Sequence, residues 1–320
     1  MKLFKKILNI TLPLLLGVFL VYYAFNEFSD DEIQKIREYF KTADYFYVLL
    51  SLIFMKISHI SRAYRWRYSL QYLGYHSSFV NNFMAISIGY LLNLTIPRSG
   101  ELSRAAVLQK YERIPFDKGF GTIIAERIVD MFFLFLMVTL SLILQYEQLK
   151  AFLSEHIPLN QLLIFFGLMI IAIIVGLYWF YTSKWKLLIF LRSKISGLVE
   201  GLLSIFKMPH RTPFLLHTLI IWIAFVLTFY FGTKAVPETS NLSLGTTMVA
   251  FVVGSLTISF TSGGIGAFPL LISKILALYG IPLAAGTAFG WILWSSQTVL
   301  VLLLGGLSFL LLPILNRKKR

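Results

Sequence analysis

Thr95-Ile96-Pro97-Arg98-Ser99-Gly100-Glu101-Leu102-Ser103-Arg104 follows directly on the apolar run Phe79–Ile96. Proline cannot continue a helical hydrogen-bond ladder, so Pro97 ends that run. Ser99 has the chemistry of an N-cap for a second helix. The segment 56–76 upstream carries Lys56, Arg62, Arg65 and Arg67 without an acid, and 97–118 carries Arg98, Arg104, Lys110, Arg113 and Lys118. Lys and Arg collect on the cytoplasmic side of a membrane. A full crossing by 79–96 would put these two basic segments on opposite sides. A hairpin that enters with 79–96, turns at 97–100 and returns along about 101–113 leaves both inside. Irregular backbone at membrane depth is tolerated where it is buried in protein or lines a wet cavity.

The rest of the chain is apolar enough to be the bilayer protein this reading needs. Hydrophobic residues make up 57% of the 320 and charged residues 14%. Runs of about twenty apolar residues, the length that crosses a hydrocarbon core, recur throughout. They are Ile7–Phe25, Tyr45–Ser61, Phe79–Ile96, Phe120–Tyr146, Leu162–Tyr181, Phe214–Thr233, Leu242–Phe260 and Ala285–Leu312. The polar gaps are too short for a soluble domain, so residues 1–320 read as a single integral membrane domain. The net charge of +14 fits loops facing anionic lipid headgroups. No RNP-like or zinc-finger spacing points to nucleic acid. With no cysteine there is no thiolate nucleophile and no Cys-ligated metal. The five histidines lack metal-binding spacing, and neither a metal nor a cofactor is expected. The first apolar run lacks an A-x-A-like cleavage site and reads as an uncleaved helix.

Loop charge sets the remaining topology. The N-terminus, with Lys2, Lys5 and Lys6, reads as inside, as do 182–213, with six bases and one acid, and the C-terminal Arg317-Lys318-Lys319-Arg320. Residues 26–44 hold six acids and three bases, 147–160 two acids and one base, and both read as outside. For the C-terminus to finish inside, 242–280 must enter and leave on the outer side. Its middle, Thr261-Ser262-Gly263-Gly264-Ile265-Gly266-Ala267-Phe268-Pro269, breaks a helix where a second hairpin would turn. The halves 45–146 and 214–312 then match as helix, hairpin, helix in opposite orientations. The expected fold is an all-α polytopic membrane protein of six to eight transmembrane helices, an inverted repeat with two re-entrant helical hairpins. Inverted repeats with broken helices near the midplane are a transporter architecture.

Ionisable residues inside a bilayer are costly and are kept mainly where they work. Arg98 and Arg104 surround the start of the second hairpin arm, where free amides favour an anion. Glu101 is spaced to pair with Arg104 at i, i+3. Glu126 and Asp130 share a face at i, i+4, and Arg127 can reach Asp130. Arg offers bidentate bonds to phosphate. Ser262, Gly263, Gly264 and Gly266 form a turn whose bare amides could cradle an anion. The bland counterparts are an ordinary basic loop, a snorkelling cluster and a packing turn. Arg62, Arg65 and Arg67, interleaved with Tyr64, Trp66 and Tyr68, read as a basic-aromatic interfacial belt.

Three blocks carry a family resemblance. Pro97-Arg98-Ser99-Gly100-Glu101-Leu102-Ser103-Arg104 resembles a P-x-x-G-E-x-x-R block, Glu126-Arg127-Ile128-Val129-Asp130 an E-R-x-x-D block, and Ser262-Gly263-Gly264-Ile265-Gly266 a Gly-Gly-x-Gly block. In this order they resemble the transmembrane region of lysylphosphatidylglycerol synthase, the flippase part of the multiple peptide resistance factor, over roughly residues 5–312. The resemblance implies movement of phospholipid between leaflets. It does not imply synthase activity, which in the family belongs to a separate soluble domain. Many relatives carry an acid shortly after the glycine block, where this chain has Phe268-Pro269.

The expected protein is a non-enzymatic, multi-pass bacterial inner-membrane protein with both termini cytoplasmic. It would bind and translocate a phospholipid or other lipid-phosphate through Arg98, Ser99, Gly100, Glu101, Arg104, Glu126, Arg127, Asp130, Ser262, Gly263, Gly264 and Gly266, none of them catalytic. A homo-oligomer is compatible with the sequence. The rivals are an integral membrane enzyme acting on lipid-linked substrates, against which the lack of an Asp-x-Asp pair counts, and a non-transporting scaffold.

Overall fold

The computed structural model describes residues 28–96, 98–147, 208–261 and 263–317, with isolated positions between 15 and 26 and between 168 and 189. The expected first helix, most of the run Leu162–Tyr181, most of the loops 147–160 and 182–213, and Pro97 and Ser262 lie outside the described residues.

Among the described residues the fold is all-α. An amphipathic helix, α1 (Asp30–Thr42), precedes α2 (Tyr45–Tyr72). The first hairpin is α3 (Phe79–Asn93) and α4 (Ser99–Glu112), followed by α5 (Phe116–Leu144). The second half comprises α6 (Arg211–Thr233), the short α7 (Pro237–Ser240), the hairpin α8 (Leu244–Phe260) and α9 (Ala267–Ala277), and α10 (Leu283–Leu315). Of these, α2, α5, α6 and α10 are long and apolar enough to cross a membrane. The four hairpin arms have 14 to 17 residues, or 11 for α9. At 1.5 Å per residue they span about 16–26 Å, short of a hydrocarbon core of about 30 Å.

Local chemistry places the boundaries. Ser29 and Glu32 form a reciprocal capping box at the start of α1. The Asp44 carboxylate accepts the Phe46 amide at the start of α2, and the Ser243 hydroxyl accepts the Thr246 amide at the start of α8. The start of α4 differs from expectation. Arg98, with φ +61°, holds the cap position, and Ser99 lies inside the helix. The Ser99 hydroxyl donates to the carbonyls of Leu92 and Ile96 instead of capping. Because Arg98 holds the cap position, Ser99 falls at the first residue of the helix, where its hydroxyl turns back to the end of α3. Helix α2 runs eleven residues beyond the expected Ser61 and carries Arg62, Arg65 and Trp66 into the helical core.

Both ends of each hairpin lie on one side of the bundle. Asn81, at the start of α3, exchanges hydrogen bonds of 2.9 and 2.8 Å with Asn316, just past the end of α10, and also donates to Glu112 at the end of α4. At the other end of the molecule, the Asp44 amide donates to the Ala235 carbonyl and Tyr39 donates to Glu238. Gln145, just past α5, donates to Thr246 at the start of α8, while Ile36 of α1 packs on Ala284 and Ala288 at the start of α10. Burial, then the Glu238 hydrogen bond, pushes the Tyr39 phenol up to about 12, so it remains a donor. The long helices connect the two sides, and each hairpin returns to the side it left.

The halves are interleaved. Helix α2 packs along α6, α10 packs against the first hairpin through α3, and α5 packs against the second through α8. Each half's last helix therefore supports the other half's hairpin as well as its own. Two apolar clusters hold this arrangement, one around Phe229, Phe251, Phe268 and Phe289, the other around Trp66, Leu70, Ile86 and Leu108. Outward faces of the long helices expose Met131, Phe135, Leu302 and Phe309, a surface suited to lipid.

Candidate functional site

The hairpin positions a buried ionic network at the junction of α2, α4 and α5. Arg104 Nη2 donates to Glu126 Oε2 at 2.9 Å, and its guanidinium lies 4.1 Å from the centre of the Trp66 ring. Arg65 forks onto Asp130 with bonds of 2.7 and 3.1 Å. Arg62 reaches Asp130 at 3.1 Å, and Arg65 Nε stands 3.8 Å from Glu126. Arg127 joins the two carboxylates at its edge, at 3.0 Å from Glu101 and 3.7 Å from Asp130. Arg62, Arg65, Arg104, Glu126 and Asp130 are all buried, Arg65 completely. In α5, Glu126 and Asp130 lie ten and fourteen residues from the first residue, or about 15 and 21 Å along the axis.

Among the described residues, four guanidiniums face three carboxylates in this network, an excess of one positive charge. The hydrogen bonds are also incomplete. Among the described residues, Arg104 Nε and Nη1 and Arg62 Nε have no hydrogen-bond partner, and Arg65 Nε and Glu126 Oε1 face each other only at 3.8 Å. A buried unsatisfied polar group is costly, and a buried ion more so. Arg62, Arg104 and Arg127 line a small gap together with Gly89, Tyr90, Asn93 and Gly100. Its volume of about 10 Å³ holds about one water. The hairpin arms pinch it shut. The Gly100 amide donates to Asn93 Oδ1 at 2.7 Å, and a Cβ on Gly89 would stand 3.1 Å from the Gly100 carbonyl oxygen.

Several sequence expectations change here. Glu101 pairs with Arg127, and Arg104 pairs with Glu126, so the expected Glu101–Arg104 pair is absent. On α4 the Arg104 side chain turns inward under α2, while Glu101 points along α5. The Arg62–Arg65–Arg67 belt is also corrected. Arg62 and Arg65, three apart on one helical face, point inward to the α5 carboxylates, and only Arg67 is exposed. The clue lay in Glu126 and Asp130, whose shared inward face needed more cations than α5 itself supplies. Arg127 does reach Asp130, as expected, but Arg62 and Arg65 hold Asp130 more closely. Arg98 is exposed and takes part in none of the ion pairs found among the described residues.

The glycine turn lies apart from the network, against the tip of the first hairpin. Gly263, Gly264 and Gly266 have φ of +62°, +77° and +68°, a region open to glycine and strained for other residues. A Cβ on Gly263 would stand 2.9 Å from Leu94 Cδ2. Trp294 of α10 donates to the Gly263 carbonyl at 2.7 Å. The fourth residue of this expected set, Ser262, lies outside the described residues.

Four apolar spanning helices, two short helical hairpins meeting at their tips and a buried Arg–carboxylate network define a polytopic helical membrane protein with a charged interior. The chain belongs to the family described as the lysylphosphatidylglycerol synthase TM region, whose model matches residues 10–306. Among curated proteins it is similar to the UPF0104 membrane protein MJ1595 of Methanocaldococcus jannaschii, 33% identical over 87 residues. That match spans 26% of this chain and 26% of the relative. No solved structure matches the chain.

Proposed function

We propose that the protein binds a phospholipid or other lipid-phosphate and translocates it between leaflets, acting as a transporter and not as an enzyme. The observation that carries this reading is the surplus cation of the buried network, with guanidinium N–H groups left unpaired. An anionic phosphate supplies the missing charge and acceptors, and Arg is suited to its geometry. The gap beside Arg104 is too small for a headgroup in this conformation. Loading therefore requires the α3–α4 hairpin to move away from α2 and α5, one body against another. Family membership supports a lipid as the partner. The Lys/Arg asymmetry supports an orientation with both termini cytoplasmic, and the proposed location is the bacterial inner membrane.

Native lipid mass spectrometry of the purified protein would name the bound lipid, and leaflet exchange of that lipid in liposomes tests its movement. Arg104→Gln is expected to lose exchange while the protein remains monodisperse. Exchange at the wild-type rate in that folded variant would refute the assignment of the network.

A further inference from the structure

The gap in the network is lined asymmetrically. Arg62, Arg104 and Arg127 contribute to its wall, and among the described residues no carboxylate does. The other polar side chains of the wall, Tyr90 and Asn93, bring no acid, and Asn93 Oδ1 is already the acceptor of the Gly100 amide. The three carboxylates of the network lie outside that wall, each held by an arginine. Asp130 is 2.7 Å from Arg65, Glu126 2.9 Å from Arg104 and Glu101 3.0 Å from Arg127. Glu101 keeps one oxygen without a hydrogen bond, but that oxygen is buried and no part of the wall. At the hairpin tip, Arg98 is exposed two residues before Gly100 and joins none of the ion pairs found among the described residues. A ligand entering the gap meets positive charge and donors.

The second half adds no acid to the interior. Helices α6, α8, α9 and α10 contain neither Asp nor Glu. The turn at 261–266 has no ionisable residue. Glu238, on the short α7, lies at the outer end of the molecule and accepts from Tyr39. An ammonium-bearing headgroup would find no counter-charge at the gap or on the second hairpin beside it. A charge without a partner in a low-dielectric interior is costly, and contact with the arginines adds repulsion. A phosphodiester instead brings one negative charge and acceptor oxygens. These match the excess of one positive charge and the open N–H groups of Arg62 and Arg104.

We propose that the network selects a lipid whose headgroup carries one negative charge and no amine, a phosphodiester of an uncharged alcohol, over zwitterionic and cationic aminoacyl headgroups. Like charges set against the wrong ligand are a specificity device. This deepens the translocation reading and rests on it for one point, that the α3–α4 hairpin opens to admit the headgroup.

The test is native mass spectrometry of the purified chain offered equal amounts of dioctanoyl phosphatidylglycerol, phosphatidylethanolamine and lysyl-phosphatidylglycerol. The wild type is expected to retain the glycerol lipid at least about tenfold over the ethanolamine lipid, the effect of one charge-assisted contact, and the lysyl lipid least. The chain is basic overall, at +14, so Arg67→Gln serves as the control. It removes an exposed positive charge outside the network and is expected to keep the order. Asn93→Asp retains the acceptor for the Gly100 amide and puts one carboxylate into the wall. It is expected to bring the glycerol and ethanolamine lipids to within about twofold of each other. Arg127→Gln removes one positive charge from the wall by a separate route and is expected to do the same, so either variant suffices if the other does not fold. Equal uptake of the ethanolamine or lysyl lipid by the wild type, or an unchanged order in folded Asn93→Asp and Arg127→Gln, would overturn the proposal. Glycerophosphoglycerol, the same headgroup without acyl chains, binding as tightly as the lipid keeps the charge class and overturns the lipid. Leaflet exchange is scored separately. If the glycerol lipid is preferred but does not move, the selectivity stands and the translocation reading falls. If all three lipids move at equal rates, translocation stands and the selectivity falls.

Discussion

At the scale of single residues, the charges of the network depend on one another for stability. Asp130 is shared by Arg62 and Arg65, both buried. Asp130→Asn leaves two guanidiniums without their anion in a water-poor interior. The expected loss is about 3–5 kcal/mol, the usual cost of breaking a buried pair. Thermal unfolding in detergent measures it, with Arg67→Ala as the exposed control, expected within about 0.5 kcal/mol of wild type. The Glu101–Arg127 pair is partly exposed, so screening limits its worth. A double-mutant cycle on Glu101→Ala and Arg127→Ala should give a coupling of about 0.5–1 kcal/mol. The same cycle on Glu101→Ala and Arg104→Ala should give clearly less, because Arg104 is bound to Glu126. Equal couplings would mean that the sequence-based i, i+3 pairing was right after all.

At the scale of elements, the two hairpins meet at their tips. Leu94 follows α3, and Gly263 lies in the turn before α9, with Leu94 Cα 3.5 Å from the position a Gly263 Cβ would take. The chain has no cysteine, so Leu94→Cys with Gly263→Cys introduces the only thiols. That spacing is within reach of a disulfide after a small adjustment of the strained turn. Oxidation is expected to cross-link the pair within one chain, and electrophoresis after cleavage in the 147–207 region reads it out. Failure to cross-link in a folded protein would separate the tips. If hairpin motion opens the network, the oxidised protein should also lose leaflet exchange and recover it on reduction.

At the scale of the whole molecule, both ends of the first hairpin lie beside the end of α10, and the second hairpin begins and ends toward α1. Single cysteines at Lys110 and Arg317 should therefore be labelled by an impermeant maleimide from the same side of the membrane. A cysteine at Asp31 should be labelled from the opposite side. Lys110 and Arg317 reacting from opposite sides would restore a full crossing by α3. The contacts between halves, α10 on the first hairpin and α5 on the second, add to those within each half and make the halves interdependent. Either half expressed alone would expose its hairpin's buried face.

The amino-acid sequence alone established the all-α membrane class, the two hairpin turns and three of the four long helices to within a few residues. Those features are local. Apolar length, proline and glycine placement and loop charge act within one segment, whatever packs beside it. It also singled out Arg104, Glu126, Arg127 and Asp130, because charge in an apolar stretch is conspicuous without a fold. What only tertiary structure decided is which charge meets which. Arg62 and Arg65 lie 68 and 65 positions from Asp130, in a stretch of alternating bases and aromatics that matches an interfacial anchor equally well. Whether such an arginine points to lipid headgroups or into the bundle depends on the rotation of α2 against α5 and α6, which no local pattern encodes.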